Sequence, residues 1–297
     1  MNTHKYEHPL FPVVNYMLLT LFAALALIPF LIVLSGSFMD EKEIILHGIR
    51  LIPEHYTFNA YQYIFQQNTG LFRSYGVTIF VTVVGTAVSV LVTGALSYVI
   101  SVKQVKLRDA LSFFVYFTML FNGGMIPWYI LCVKYLQMKN SIWALILPML
   151  VNPFYIFLMR SYFKGIPEAL RESGIIDGAG EMRVFLRIIL PISAPILATI
   201  SLFYMLAYWN DFYLALFFVD KAELIPLQYH LYRILSTLNY IASATTGEGS
   251  AVAQNIILPS ESVRLATTIL TIGPIIFVYP FIQKHFIKGI TIGAVKG

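Results

Sequence analysis

Six stretches of this chain carry no Asp, Glu, Lys or Arg: His8–Met39, Ser74–Val102, Ala110–Val133, Asn140–Met159, Ile188–Asn210 and Leu265–Gln283. Each is about 19 residues or longer, and a hydrocarbon core of about 30 Å takes about 20 helical residues at 1.5 Å apiece. The pattern predicts an all-α, polytopic membrane protein. It forms a single domain over 1–297, with six transmembrane helices at about 13–38, 74–102, 110–133, 140–160, 191–219 and 264–284. The first run is too long for the apolar core of a cleaved signal peptide and is read as a retained span.

The polar interlude Arg160–Leu186 separates the fourth and fifth runs, and its chemistry predicts two short helices meeting at a bend. Pro167 suits a first helical position, and Glu168 complements the positive helix end beside it. Glu168 and Glu172 share a face, as do Gly174 and Gly178. Asp177-Gly178 is a stop signal, because glycine readily takes the left-handed conformation that closes a helix. Met182, Phe185, Leu186 and Ile189 then form an apolar stripe at helical spacing, with Arg183 and Arg187 on another face. Pro191 and Pro195 mark the turn into the fifth span.

Composition agrees with life in lipid: 58% hydrophobic, 12% charged and a mean hydropathy of +0.73, against roughly 25% charged residues in soluble domains. The single Cys132 cannot form an internal disulfide and is read as a packing residue. With the N-terminus in the cytoplasm, 12 of the 20 Lys and Arg and 6 of the 15 acids fall inside, so the positive-inside rule favours both termini cytoplasmic. The basic excess follows the cytoplasmic loops, where anionic headgroups explain it; it forms no stripe suited to nucleic acid.

From Glu172 the order is Glu-Ser-Gly, three residues, Gly178, nine residues, Ile188, one residue, Leu190-Pro191. This resembles the EAA coupling motif of ABC importer permeases, written EAA, x3, G, x9, I, x, LP. Ser173 and Gly174 stand where that motif has two alanines, and Gly174 weakens a helix by up to about 1 kcal/mol relative to Ala. The six-span layout and the ending Lys288-Gly289-Ile290-Thr291-Ile292-Gly293-Ala294-Val295-Lys296-Gly297 are similar to carbohydrate permeases of the maltose-transporter type. Gly123-Gly124-Met125-Ile126-Pro127, Tyr208-Trp209-Asn210-Asp211 and Pro226-Leu227-Gln228 resemble the branch handling lipooligosaccharides and polysaccharide fragments.

The resemblance implies a permease of a bacterial plasma (inner) membrane, with a cytoplasmic coupling loop over 161–190 and a cytoplasmic tail over 285–297. It implies a second permease closing the path, two ATPase subunits carrying ATP and Mg, and an extracytoplasmic solute-binding protein delivering an oligosaccharide. Glu172, Ser173, Gly174, Asp177, Gly178, Ile188, Leu190 and Pro191 become the coupling residues, with Glu172 the acidic contact and Gly178 the bend. The tail resembles one that inserts between ATPase subunits. No catalytic role is expected here: GxxxxGK[ST] is absent, and His4, His8, His47, His55, His230 and His285 are scattered without metal-ligand spacing.

Polar residues inside spans are costly and tend to face protein or water. Tyr204, Tyr208 and Asp211 fall at i, i+4 and i+7, so one helical face is expected to carry hydroxyls and a carboxylate; with Trp209 and Asn210 this suits sugar. Asn122, Gly123 and Gly124, with Pro127, should loosen the third span. The alternative for these residues is helix packing. Asn152-Pro153 and Gly273-Pro274 with Pro280 read as kinks. Outer segments Asp40–Arg73 and Asp220–Arg264 are long enough for caps; the second carries Leu231, Ile234, Leu235 and Leu238 at amphipathic spacing, then a flexible loop over Thr245–Ala251. Two functional alternatives remain: a permease of the same architecture for another solute, and a stand-alone ion-coupled carrier using Asp211, against which no internal repeat is visible.

Overall fold

The computed structural model describes residues 10–66, 70–245 and 261–276. Among them every extended element is helical, and the sole strand-like feature is a bridge between Met39 and Tyr56. The tail over 285–297, the end of the sixth span beyond 276, Pro280 and the loop over Thr245–Ala251 past Thr245 lie outside the described residues. The described chain divides into two compact units, one of residues 10–66 with 233–245 and 261–274, the other of 70–232 with 275–276.

In the first unit, α1 (Leu10–Gly36) is long and apolar enough to span a membrane. Most of its side chains from Phe11 to Leu31 are exposed, as a span facing lipid or another subunit requires. Past it, α2 (Glu41–His47) and α3 (Asn59–Gln66) occupy the segment expected to cap the span, and the Phe38 ring meets those of Phe58 and Tyr61. Glu41 is buried, and its carboxylate accepts from the Glu261 and Ser262 N–H groups, each at 2.9 Å, and from Ser262 Oγ at 2.8 Å. A carboxylate there complements the positive first turn of the helix over 261–276, here α14. That helix runs on through Gly273-Pro274.

The second unit is organised around α4 (Leu71–Ser101). Along one face it buries Ser74, Thr78, Thr82, Thr86, Ser89, Thr93 and Ser97, with Gly85 and Gly94 among them. Small residues let helix backbones approach closely where water supplies no driving force. The partners are α7 (Pro153–Lys164) and α11 (Ala194–Asn210). Ser97 Oγ donates to the Ile156 carbonyl at 2.9 Å, Thr93 bonds the Tyr204 hydroxyl at 2.7 Å, and Ser89 bonds that of Tyr208 at 2.9 Å. At the other end, Thr78 Oγ1 accepts from Leu227 N–H, fixing the start of α13 (Leu227–Thr245). The amphipathic stripe on α13 is real: Leu231 and Leu238 are buried, Ile234 and Leu235 half-buried.

The remaining expected spans are broken. The third is α5 (Arg108–Leu120), then α6 (Met125–Ile130) and a π-helical turn Leu131–Tyr135, bent by 116° at the break. The fourth opens in 3-10 turns Ile142–Leu145 and Leu147–Met149 and bends by 53° into α7. There Asn152 caps the helix by accepting from the Phe154 and Tyr155 N–H groups, and Pro153 takes the first position, where its missing N–H costs nothing. The fifth bends by 86° before α11, and after Asn210 continues only as α12 (Tyr213–Phe218). Among the described residues two helices could cross a membrane alone, or up to five spans if each bent pair is one. Cys132 is buried in packing, as expected.

A Cβ added at Gly85 would lie 2.7 Å from the Tyr208 ring. Gly85→Val should therefore force α4 and α11 apart at a cost of about 1–3 kcal/mol. The expected outcome is a lowered melting midpoint of the detergent-solubilised protein, measured by size-exclusion recovery after heating, while the exposed control Gly76→Val leaves it unchanged.

Candidate functional site

The elbow between the fourth and fifth spans consists of α8 (Glu168–Ile176) and α9 (Glu181–Val184), the latter running through a π-helical turn Phe185–Ile189 into α10 (Leu190–Ile192). α8 closes where Asp177-Gly178 predicts. Gly178 has φ +81°, its N–H donates to the Ile175 carbonyl at 2.9 Å, and Ala179 N–H donates to the Gly174 carbonyl at 3.0 Å. These are the two bonds of a Schellman closure. Pro167 caps α8 rather than opening it, a one-residue shift from expectation.

Gly174 is buried, and a Cβ there would lie 2.7 Å from Ile188 Cδ1 and 3.2 Å from Val184 Cγ2. The departure from alanine thus has a local cause: Ile188, ten residues beyond the bend, occupies the space. Phe185 and Ile189 turn inward, whereas Met182 and Leu186 from the same expected stripe face outward. Glu172, Ser173, Asp177 and Pro191 are exposed, and Leu190 is half-buried. Around the tip the exposed apolar side chains are Ile175, Ile176 at 85% exposure, Met182 and Leu186.

Polar clips hold the inner side. Glu168 accepts from Gln104 Nε2 at 2.9 Å and pairs with Lys103 at 3.2 Å. Arg171 pairs with Glu181, whose Oε2 also accepts from the Tyr98 hydroxyl at 2.7 Å. The Tyr98 ring stacks on Phe185 at 5.2 Å. Behind the clips is a cavity of about 420 Å³ lined by Tyr98, Lys103, Phe163, Lys164, Glu168, Arg171 and Ile189, among others. The Arg171 guanidinium, foremost, holds the Glu181 carboxyl below its ordinary value of 4.5. The Gln104 amide, then Lys103, does the same for Glu168.

The residues expected to share a path separate into two groups. Asn122, Gly123, Gly124 and Asp211 meet in a cleft of about 710 Å³ with Met125, Pro127, Trp128, Leu131, Pro148, Met149, Tyr213 and Leu214. Asn122 Oδ1 accepts from Gly124 N–H at 2.8 Å, forming the Asx turn that breaks the span. Tyr204 and Tyr208 are elsewhere, 1% and 2% exposed in the helix packing. The Tyr208 hydroxyl donates to the Ile146 carbonyl at 3.0 Å while bonded to Ser89; that of Tyr204 accepts from Asn152 N–H at 3.1 Å while bonded to Thr93. Trp209 is buried and Asn210 exposed, its amide donating to the Leu206 carbonyl.

The common helical face expected of Tyr204, Tyr208 and Asp211 is therefore corrected. α11 ends at Asn210, and Asp211 is extended with its carboxylate turned to Leu214 N–H at 3.3 Å, capping α12. The buried hydroxyl stripe of α4, which positions both tyrosines, is not apparent from the absence of charge over 74–102. Its signal is Ser or Thr at intervals of three and four from Ser74 to Ser97. Among the described residues no group of three His, Cys, Asp or Glu could hold a metal.

A helix-rich membrane chain with bent spans and an exposed, glycine-closed elbow has the build of a transport subunit. No family model matches the chain. It is 42% identical over 287 residues to Protein LplC of Bacillus subtilis (strain 168), covering 97% of this chain and 95% of that one. It is 38% identical to the polygalacturonan/rhamnogalacturonan transport system permease protein YtcP of the same organism, over 98% of this chain and 100% of that protein. The crystal structure of a bacterial ABC transporter involved in the import of the acidic polysaccharide alginate contains a chain that superposes with a TM-score of 0.76 at 29% identity, over 96% of this chain and 100% of that one. The chain belongs to the permease family of carbohydrate ABC transporters.

Because the folded-state pKa of Glu181 is depressed, its contribution is present above the ordinary carboxylate value and disappears as pH falls through the lowered one. Hydrogen-exchange protection of α8 and α9, with the intrinsic pH dependence of amide exchange divided out, should accordingly stay constant from pH 7 to about 5, exchange accelerating relative to the unfolded chain only below 4.5. In Glu181→Gln that acid-dependent acceleration should be smaller.

Proposed function

We propose that this permease carries an oligosaccharide or polysaccharide fragment across the membrane as half of a translocation path completed by a second permease. The sixth span includes α14, and the bent pairs are spans three to five. Residues 161–190 and both termini face the cytoplasm, and the elbow docks in a cleft of an ATPase subunit. Two such subunits hold ATP and Mg, while an extracytoplasmic binding protein presents the sugar. The carbohydrate class is supported by YtcP and by the alginate importer, and it favours polysaccharide fragments as cargo.

One observation carries the docking proposal. On an otherwise polar elbow, Ile176 is 85% exposed beside the bend, Met182 is 68% exposed across it, and Glu172 lies one turn behind on α8. An apolar tip with a flanking acid is the composition of a small desolvated anchor, not of a loop facing water. Gly178 sets the angle at which α8 and α9 present it, and Leu190-Pro191 carries the elbow back into the fifth span. The cleft of Asn122, Gly123, Gly124 and Asp211 is the proposed sugar-facing surface, with amide donors, carboxylate acceptors and the rings of Trp128 and Tyr213. Tyr204, Tyr208 and Trp209 support it through packing.

The test is assembly. Ile176→Asp combined with Glu172→Arg should weaken association with the ATPase subunits roughly thirtyfold, the equivalent of a 2 kcal/mol anchor, and abolish ATP-dependent sugar uptake while leaving membrane insertion intact. Unchanged co-purification and uptake in this variant would remove the elbow from the mechanism.

A further inference from the structure

We infer that Tyr98, Glu181 and Arg171 form the joint that makes the elbow and α4 move as one body, and so are positioning residues for energy transfer. This rests on the reading that an ATPase engages the elbow. The route by which displacement of the elbow would enter the membrane bundle is then set by what joins the two.

Packing behind α8 is incomplete, since the cavity of about 420 Å³ lies between it and the inner end of α4. A pushed helix backed by empty space moves into that space unless something stiffer bridges it. The bridge consists of the Tyr98 hydroxyl on Glu181 at 2.7 Å, the Arg171–Glu181 pair and the Tyr98–Phe185 stack. Tyr98 is 8% exposed and the Arg171 side chain 12%, so both donors are withdrawn from water, while the Glu181 side chain they share is 52% exposed. Charge-assisted bonds partly withdrawn from water are stronger and more directional than surface pairs. The second clip, Lys103–Glu168, differs in its cation: Lys103 is 75% exposed where Arg171 is 12%, so it is the more mobile and the more screened of the two.

Glu181 is the meeting point. It lies on α9 beyond the bend, Arg171 lies on α8 before it, and Tyr98 belongs to α4, so one carboxylate ties both arms of the elbow to the span. From Tyr98 the connection continues inward along α4 through Thr93–Tyr204 and Ser89–Tyr208 to α11. Without the joint the elbow should still dock, because Ile176, Met182 and Glu172 are not part of it. What should fail is delivery of the motion.

The experiment uses the complete transporter, with the second permease, ATPase subunits and binding protein, reconstituted in vesicles, and reads ATP hydrolysed per sugar imported. Tyr98→Phe keeps the ring stack and removes the hydroxyl; Glu181→Ala removes both polar bonds. The expected result is a rise in that ratio, roughly fivefold, with ATPase co-purification unchanged and the double variant no worse than Glu181→Ala alone. Glu181→Gln, which keeps a hydrogen-bonding side chain, should restore part of the ratio. An unchanged ratio in both Tyr98→Phe and Glu181→Ala overturns the joint, as does loss of co-purification, which would make these residues part of docking. If the unaltered complex imports sugar without its ATPase subunits, the underlying reading fails instead.

Discussion

A helix crossing hydrocarbon must give each hydroxyl group either a carbonyl of its own turn or a cover of protein, and α4 places seven on a single covered face. That constraint fixes much of the second unit. Tyrosines from α11 reach across to Ser89 and Thr93, a carbonyl from α7 accepts from Ser97, and the backbone opening α13 donates to Thr78. Gly85 admits the Tyr208 ring to within van der Waals distance, so the hydroxyls meet because the backbones can approach. Each bond is modest, about 1 kcal/mol. Their collective effect is register, since sliding α11 along α4 would separate both tyrosines from their partners together.

The sequence made the spans and the bend legible for different reasons. Absence of charge over about 20 residues is a strong signal in lipid, and Asp177-Gly178 fixes the bend because few other residues accept φ +81°. Breaks were harder to place. Asn122-Gly123-Gly124 was expected to loosen the third span, yet the 116° bend depends on how α6 then packs Trp128 and Tyr129 against Phe218. Helical spacing misplaced Asp211 because periodicity assumes the helix continues. A carboxylate able to cap the next helix at Leu214 N–H gives the chain a reason to stop at Asn210.

The two candidate surfaces differ in what holds them. The Asn122–Asp211 cleft sits on helix ends and an Asx turn, so its polar atoms are partly engaged by nearby backbone and leave the amide of Asn122 for a ligand. The elbow is built from helices and keeps its apolar tip bare, while its inner side is clipped by the Tyr98 hydroxyl of α4 and by Lys103 and Gln104 just beyond that helix. Polar contacts suit the inner side because the cavity behind it excludes the close packing that would otherwise fix α8.

Gly174 shows how a departure from a sequence pattern can be its local fulfilment. Glycine in a nine-residue helix costs up to about 1 kcal/mol relative to alanine, and the helix is too short to be stable by propensity alone. Alanine would place a methyl 2.7 Å from Ile188 Cδ1, so retaining the present geometry with a side chain there would require Ile188 to move. Cδ1 is the far end of that side chain, so it would have to rotate off α8 and give up its contact there, while Val184 Cγ2 at 3.2 Å would have to give by a few tenths of an ångström. With glycine, α8 approaches the following helix closely enough for Val184 and Ile188 to pack on it, and tertiary contact replaces the lost propensity. The small residues at 173 and 174 thus serve the same end as the paired alanines they stand in for: bringing the two arms of the elbow together.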